Sequence, residues 1–365
     1  MNRRFAAVAA VAALSASVDE CTPVDPEPNL TVAQAHAPVH YQDTDSTCTE
    51  CDWITAIDYD GNWTGTDNWD HLFTPSAWGP GATGYGAVVY TSVVETCTHW
   101  FVVYGMFHPR DWTDSVFDQE HENDLEGALV VVEKDGTPTG RAVAMITVYH
   151  NDFYSYVPED STWTDGDEDI DGVLSFEPVD GRLHPVTAQQ AKGHGLKAWP
   201  YAGDFAGNPG EDGVRYVPTG VMEVPTVGST GPVGYALEEL FEWVWPLQIG
   251  NFAPYAGWGA LAGDDSGSCG DGVTVTCAED AAHLPWSWDD TDDGSALQAG
   301  LLGLDPALLV DRYFDNVGDF SLAYRSNRYL EDLRAQGYDD GFEPAGFPSA
   351  LSLDAMYARL DATCP

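Results

Sequence analysis

Four apolar runs of strand length dominate the first half of the chain. They cover residues 87–94, 99–107, 124–133 and 141–150 and are rich in β-branched and aromatic side chains, which favour extended backbone. Asp135-Gly136, between the last two runs, is a turn signal, so we predict that those two runs form adjacent antiparallel strands. Several runs are apolar on both faces, which indicates a sheet packed against a second layer.

Helical patterns occur in the second half of the chain. Apolar residues recur at helical spacing within 235–245, which predicts a helix there. Residues 305–317 begin with Asp305 as a cap and Pro306 in the first turn, and 352–361 predict a terminal helix. The fold we predict is mainly β, a two-layer antiparallel β-sandwich with peripheral α-helices and long acidic loops.

The N-terminal region is typical of an exported protein. Residues 1–17 place two arginines before a short apolar run, as secretory signal peptides do. Residues 18–33 are Pro-rich and acidic and predict a linker, and 34–365 predict a single metal-binding β-sandwich domain with a C-terminal helical elaboration. Because no later segment reaches about 18 uninterrupted apolar residues, we expect a secreted, extracellular protein with no integral membrane segment. A lipid anchor at Cys21 is the alternative.

The charge balance narrows the range of partners. Lys and Arg number 14 against 59 Asp and Glu, which gives a net charge of −45. Phosphate binding needs a basic face, so nucleic acid is excluded as a partner. The excess of acids favours divalent cations instead.

Seven cysteines in an exported chain predict disulfides. Cys269 and Cys277 flank the short stretch GDGVTVT and are predicted to pair. Cys48 and Cys51 form a CxxC motif without a second pair at zinc-site spacing, which favours a disulfide over a metal site. The sequence leaves open how Cys21, Cys48, Cys51, Cys97 and Cys364 pair.

The stretch FHPRDWTDSVFDQEHENDLEG sets acids between two apolar runs. In a strand starting near residue 124, Asp124 and Glu126 point to the same face and repel each other. A divalent cation would relieve this repulsion, with His121 and Asp111 close enough to contribute. The alternative is a wet sheet edge whose acids pair with Arg110 or Arg141, and spacing alone does not separate the two hypotheses.

YGMFHPRDW followed by HENDLE resembles the necrosis- and ethylene-inducing cytolysin family and the related vacuolar-sorting-like secreted proteins. The resemblance covers roughly residues 35–220. It implies that Asp111, His121, Asp124 and Glu126 occupy the metal-site positions of that family, with His194 and His150 near the same cavity. It also implies a Ca²⁺ or Mg²⁺ cofactor and recognition of a glycan or glycolipid. Glu122, Asn123 and Leu125 depart from the family pattern, so the implied cation is better supported than toxicity.

A second cation site is predicted within DGDEDIDGVLSFEP. Asp167, Asp169, Asp171 and Ser175 follow the spacing of a Ca²⁺ loop. Glu177 falls one place early for the closing ligand, and a solvated acidic insertion is the alternative.

Three functions are compatible with these features. The first hypothesis is a secreted, divalent-cation-dependent binding protein of the necrosis-inducing-like type, which recognises a lipid headgroup or glycan and is not an enzyme. The second is a metal-dependent hydrolase in which His121 or His150 is the base and a metal-bound water is the nucleophile. The third is a structural cell-surface protein stabilised by Ca²⁺.

Overall fold

The computed structural model describes residues 28–112, 120–150, 152–200, 213–228, 231–250, 255–266, 270–271, 277–291 and 299–364. The predicted signal peptide, Cys21 and Cys269 lie outside these residues. The predicted pair of Cys269 with Cys277 and the lipid anchor therefore stay predictions.

The strands in chain order are β1 Val39–Asp43, β2 Val88–Thr96, β3 His99–Asp111, β4 His121–Glu133, β5 Arg141–Tyr149, β6 Asp152–Val157, β7 Thr164–Asp165, β8 Ile170–Val173, β9 Phe176–Val179, β10 Arg182–Gln189, β11 Leu196–Ala198, β12 Gly213–Val217, β13 Val233–Gly234, β14 Ala236–Glu239, β15 Tyr255–Gly257, β16 Ala260–Gly263, β17 Asp265–Ser266, β18 Gly270–Asp271, β19 Cys277–His283, β20 Phe314–Asp315 and β21 Tyr324–Ser326. The helices are short. They are α1 Pro28–His36, α2 Asn68–His71, α3 Leu240–Trp243, α4 Trp245–Ile249, α5 Leu301–Leu304, α6 Pro306–Tyr313, α7 Arg328–Ala335 and α8 Leu353–Leu360, with 3-10 turns at Gly65–Asp67 and Pro75–Ala77.

The four predicted apolar runs form the centre of a large sheet. Its strand order is β14-β2-β3-β4-β5-β6-β8, with β17, β18 and β21 attached at the sides. The β2 to β6 neighbours are antiparallel, as the turn between β4 and β5 predicts. The outer strands β14 and β8 pair in parallel with β2 and β6, so the sheet is mixed.

A smaller sheet covers one face of the large one, which confirms the mainly β, sandwich-like fold. Its order is β11-β10-β1-β12-β13, with β9 on β10. Val102, Tyr104 and Val130 of the large sheet share one buried cluster with Leu196 and Tyr216 of the small one. Burial of these side chains removes apolar surface from water and holds the two layers together.

The opposite face of the large sheet is also buried. Phe101, Val103 and Leu129 pack in a second cluster with Trp245 and Trp286 from the C-terminal half. The three-stranded sheet β15-β16-β19 and helices α3 to α8 belong to this covering layer. Because both faces are covered, the strands are apolar on both sides.

Two expectations about local structure change. The helix predicted over 235–245 is wrong, because β14 pairs with Val88–Thr91 in the first part of it and a helix begins only at Leu240. Pro246 follows in the first turn of α4, where it fits without breaking a hydrogen bond. Helix α1 begins within the stretch predicted as linker and buries Val32 and Ala33.

Two disulfides join described cysteines. Cys97 pairs with Cys364 across a separation of 267 residues, and Cys48 pairs with Cys51. The first ties the β2–β3 hairpin to the end of the chain. Within the described ranges, none of the helices has the length and hydropathy needed to cross a bilayer.

We expect loss of the long-range disulfide to destabilise the fold more than loss of the short one. Replacing Cys97 and Cys364 together by alanine should lower the free energy of unfolding by about 2–5 kcal/mol, because the disulfide restricts a long loop in the unfolded chain. The matched control is the double variant Cys48→Ala, Cys51→Ala, because the disulfide that it removes closes only a short loop. Urea unfolding measures both, and a larger loss for the control pair would contradict the assignment.

Candidate metal and ligand pocket

A cavity of about 470 Å³ opens at the end of the large sheet where β3 stops and β4 begins. We call it the acidic pocket. Its lining residues are Asp111, His121, Asp124, Leu125, Glu126, Val148, His150, His283, Ser287, Trp288, Asp289, Thr291 and Ala299. The four predicted ligands and His150 therefore share one cavity.

The register of the β3–β4 hairpin brings these side chains together. Asp111 pairs with His121, and His108 pairs with Asp124, across the antiparallel ladder. Asp124 and Glu126 lie two residues apart on β4, so their side chains leave the strand on the same side. Asp111, at the end of β3, and Glu126, in the first half of β4, line the same cavity because the two strands are paired.

His121 has the arrangement of a metal-binding histidine. Its Nδ1 donates to the carbonyl oxygen of Asn123 at 2.9 Å, so Nδ1 carries the proton. Its Nε2 lies 3.4 Å from Asp111 Oδ2. Histidine ligands in proteins commonly donate one ring N–H to a backbone carbonyl and bind metal through the other nitrogen. Nε2 is therefore the nitrogen available to a cation.

His194 forms a hydrogen bond with the carboxylate of Asp124. The distance from His194 Nδ1 to Asp124 Oδ2 is 2.9 Å, and His194 Nε2 lies 3.2 Å from Asp52 Oδ1. His194 is fully buried and does not line the pocket. Its hydrogen bond fixes Oδ2 of Asp124.

Glu126 has one oxygen without a partner. Its Oε1 accepts a hydrogen bond from the backbone N–H of His150 at 3.0 Å. Its Oε2 is buried and has no hydrogen-bond partner among the described residues. A buried carboxylate oxygen left alone is costly, and a cation would satisfy it.

Burial and mutual repulsion control the protons in the pocket. Burial raises the pKa of Asp111 and, with the charge of Asp124, raises the pKa of Glu126 well above its usual range. Burial would also raise the pKa of Asp124, but the hydrogen bond from His194 holds it well below its usual range. Burial lowers the pKa of His121, yet Asp111 and Asp124 together raise it to about 9. Metal binding would displace these retained protons.

Left-handed backbone is concentrated around the pocket. Asn123, His150, Lys192 and His194 have φ values of 61°, 58°, 74° and 49°, in a region that non-glycine residues seldom adopt. Asn123 precedes Asp124, and His150 lines the pocket. His194 contacts Asp124, and the backbone N–H of Lys192 donates to Asp52. Such strained positions often cluster at functional sites.

The two basic side chains of the rival hypothesis have other partners. Arg110 pairs with Glu120 at 2.5 Å and stacks over Trp69, and Arg141 pairs with Glu133. The acids of the pocket are therefore not explained as partners of Arg110 or Arg141. A divalent cation fits the donor set of three carboxylates and one imidazole.

Spacing sets a limit on how the four predicted ligands would act. Among the described residues, triads with all ligand atoms within 4.8 Å of one another are Asp60, Asp67 and His71, and Glu122, Asp264 and Asp265. The four side chains of the acidic pocket are spaced more widely. Water molecules in the coordination shell of Mg²⁺ or Ca²⁺ commonly fill such spacing.

The two compact triads have internal partners. Asp60 accepts hydrogen bonds from Asn62 and His71. Glu122 accepts from the backbone N–H groups of Trp69, Asp264 and Asp265, so its oxygens already organise a turn. Burial raises the pKa of Glu122 to about 8.

Residues of the second predicted cation site have separate roles. Asp171 accepts the backbone N–H of Ser155, and the Asp169 carbonyl accepts the Ser155 hydroxyl. The Ser175 hydroxyl donates to the carbonyl oxygen of Trp199. Asp167 hydrogen-bonds through its backbone N–H to Arg312. The Ca²⁺ loop stays a prediction that this geometry does not strengthen.

Sequence reasoning missed His283, Ser287 and Asp52. His283, Ser287, Trp288 and Asp289 close the pocket from β19 and the turn after it. The stretch HLPWSWDD, which sets a histidine and two acids beside tryptophans, carried the only local signal. Asp52 gave no signal, because only the folded chain brings it to His194.

The chain matches no protein-family model and no curated protein. A solved structure described as a toxin fold for microbial attack and plant defense is 15% identical, with 75% of this chain and 92% of that chain covered, at a TM-score of 0.34. Necrosis and ethylene inducing protein 2, from the causal agent of cocoa's Witches Broom disease, is 18% identical, with 47% and 69% covered, at 0.29. NLPPya in complex with glucosamine is 17% identical, with 50% and 71% covered, at 0.29.

The structural neighbours of this chain thus include necrosis-inducing toxin-fold proteins, at low sequence identity and low TM-scores. They carry the name of the family that the stretch YGMFHPRDW and the motif HENDLE resemble.

We expect the melting temperature of the metal-free protein to fall as the pH rises from about 6.5 to about 9. Despite the lowering effect of burial, their carboxylate neighbours raise the pKa of His121 and of His194 to about 9 in the folded state, against about 6.5 in the unfolded chain. Their contribution is complete below about 6.5 and is lost as the pH passes their folded pKa. The raised pKa of Glu126 acts in the same direction.

Calorimetry in EDTA at several pH values measures this dependence. The His194→Gln variant should show a flatter profile than the unsubstituted protein. A melting temperature that rises steadily across this range would contradict the assigned protonation.

Proposed function

We propose that this chain is an exported protein that binds Ca²⁺ or Mg²⁺ in the acidic pocket. The observation that supports this most directly is the buried Oε2 of Glu126, which lacks a hydrogen-bond partner among the described residues. It lies in a cavity shared with two more carboxylates and with His121, whose Nδ1 is already engaged. A hard cation would bind the unpartnered oxygen of Glu126, offset the repulsion among the three carboxylates and use Nε2 of His121.

We propose further that the cation-loaded pocket binds a glycan or the headgroup of a glycolipid. The cavity has the volume of a small-ligand site. Ser287, Thr291 and His150 supply polar groups, and Trp288 supplies an aromatic wall. The oxygens of sugar hydroxyl groups can coordinate a bound cation in place of water. Glucosamine, present in the NLPPya complex, is a practical first probe.

Removing a ligand from the pocket should weaken cation binding. We expect Glu126→Gln and Asp124→Asn each to raise the Kd for Ca²⁺ or Mn²⁺ by at least about 10-fold, since each variant removes a charged oxygen ligand. Glu133→Gln, at the far end of the same strand and paired with Arg141, is the matched control. Isothermal titration calorimetry gives the Kd values, and equal affinity in all four proteins would refute the site.

Sugar binding should depend on the cation. We expect glucosamine or a glycan carrying it to bind the Ca²⁺-loaded protein and to lose binding in EDTA, because the cation supplies part of the ligand contact. Saturation-transfer NMR measures the interaction, with glucose in place of glucosamine as a comparison.

Two outcomes would separate the remaining functions. Sugar binding that persists in EDTA would make the cation structural. Turnover of a generic phosphodiester by the loaded protein, abolished in Glu126→Gln, would favour the hydrolase.

A further inference from the structure

We infer that Asp52, which lies outside the acidic pocket, is a positioning residue that sets the cation affinity of the pocket by holding His194 against Asp124. This inference rests on the proposed cation site. It concerns a residue that does not line the cavity and that neither the sequence motif nor the resemblance includes.

Both oxygens of Asp52 are committed to the protein. Oδ1 accepts from the backbone N–H of Lys192 at 2.8 Å, from Trp112 Nε1 at 3.2 Å and from His194 Nε2 at 3.2 Å. Oδ2 accepts from the backbone N–H of Asp45 at 2.7 Å. The side chain is fully buried. Asp52 is thus a fixed acceptor rather than a ligand.

A short closed turn holds Asp52 in place. Backbone hydrogen bonds link Cys48 to Asp45 and Cys51 to Cys48, and the Cys48–Cys51 disulfide closes the turn immediately before Asp52. Cys48 and Cys51 are buried with Trp112 and Leu72. This turn, together with the donors from Lys192 and Trp112, fixes the position of Asp52.

His194 transmits this position to the pocket. It is fully buried between Asp52 and Asp124, and its ring stacks on His108 with centroids 3.8 Å apart and planes 7° apart. Its carbonyl oxygen accepts from Gln189 Nε2 at 2.6 Å. The ring cannot turn without breaking contacts on several sides.

The consequence is a preset orientation of Asp124. With Oδ2 held by His194, the carboxylate plane is fixed before a cation arrives. Partners that orient a ligand from behind commonly change metal affinity by about 10–100-fold when they are removed. Asp52 lies one hydrogen bond further back, and His194 has no freedom to compensate for its loss.

The test compares Asp52→Asn with Asp305→Asn. Asp305 is equally buried and pairs with Arg359 and Tyr324, so its substitution controls for the loss of a buried charge. We expect Asp52→Asn to raise the Kd for Ca²⁺ and Mn²⁺ by about 10–100-fold, while Asp305→Asn lowers the melting temperature without changing either Kd. Calorimetric titration and a melt in EDTA measure the two effects.

A spectroscopic readout on the metal-free protein separates positioning from general damage. Both ring N–H groups of His194 donate to carboxylates, so two downfield imidazole proton signals are expected in the unsubstituted protein. Asp52→Asn should shift or remove one of them, and Asp305→Asn should leave both unchanged.

A Kd within twofold of the unsubstituted protein for Asp52→Asn would overturn the inference while leaving the cation site intact. If the unsubstituted protein binds no cation, the proposed function fails first. Should Asp52→Asn not fold, Trp112→Phe carries the test, because it removes one donor to Oδ1 and keeps an aromatic ring. Weakening beyond twofold then supports the inference, and an unchanged Kd contradicts it.

Discussion

Repulsion between buried carboxylates at one end of a β-sandwich is the constraint on which this site depends. Asp111, Asp124 and Glu126 share a cavity, and burial raises the pKa of the first and the third. The protein compensates one of the three charges internally, through His194 beneath Asp124. Of the other two carboxylates, Asp111 lies 3.4 Å from His121 Nε2, and Glu126 accepts the backbone N–H of His150. Under the proposed function, a bound cation would offset the repulsion that remains.

Three different parts of the chain build that arrangement. The β3–β4 hairpin supplies Asp111, His121, Asp124 and Glu126 through its register alone. His194, just before β11 of the small sheet, contacts Asp124. His283 and Trp288 of the C-terminal layer line the cavity on another side. Trp288 donates its indole N–H to the carbonyl oxygen of Leu125, which ties this layer to the strand that carries the acids.

The sequence predicted what local pattern determines. Four apolar runs became β2 to β5, and the motif HENDLE placed His121, Asp124 and Glu126 in one cavity, because strand alternation and hairpin register are local properties. The helix predicted over 235–245 was wrong, because pairing of β14 with the distant β2 overrides the helical spacing of the apolar residues there. The sequence also could not reveal Asp52 or His283, since long-range packing alone brings them to the site.

Anomalous scattering from a crystal soaked in Mn²⁺ tests the central claim most directly. The account predicts one strong peak inside the acidic pocket, bound by His121 Nε2 and by oxygens of Asp124 and Glu126, directly or through water, at distances of about 2.0–2.6 Å for the direct ligands. A peak at Asp60, Asp67 and His71, or at Glu122, Asp264 and Asp265, with none in the acidic pocket, would contradict it.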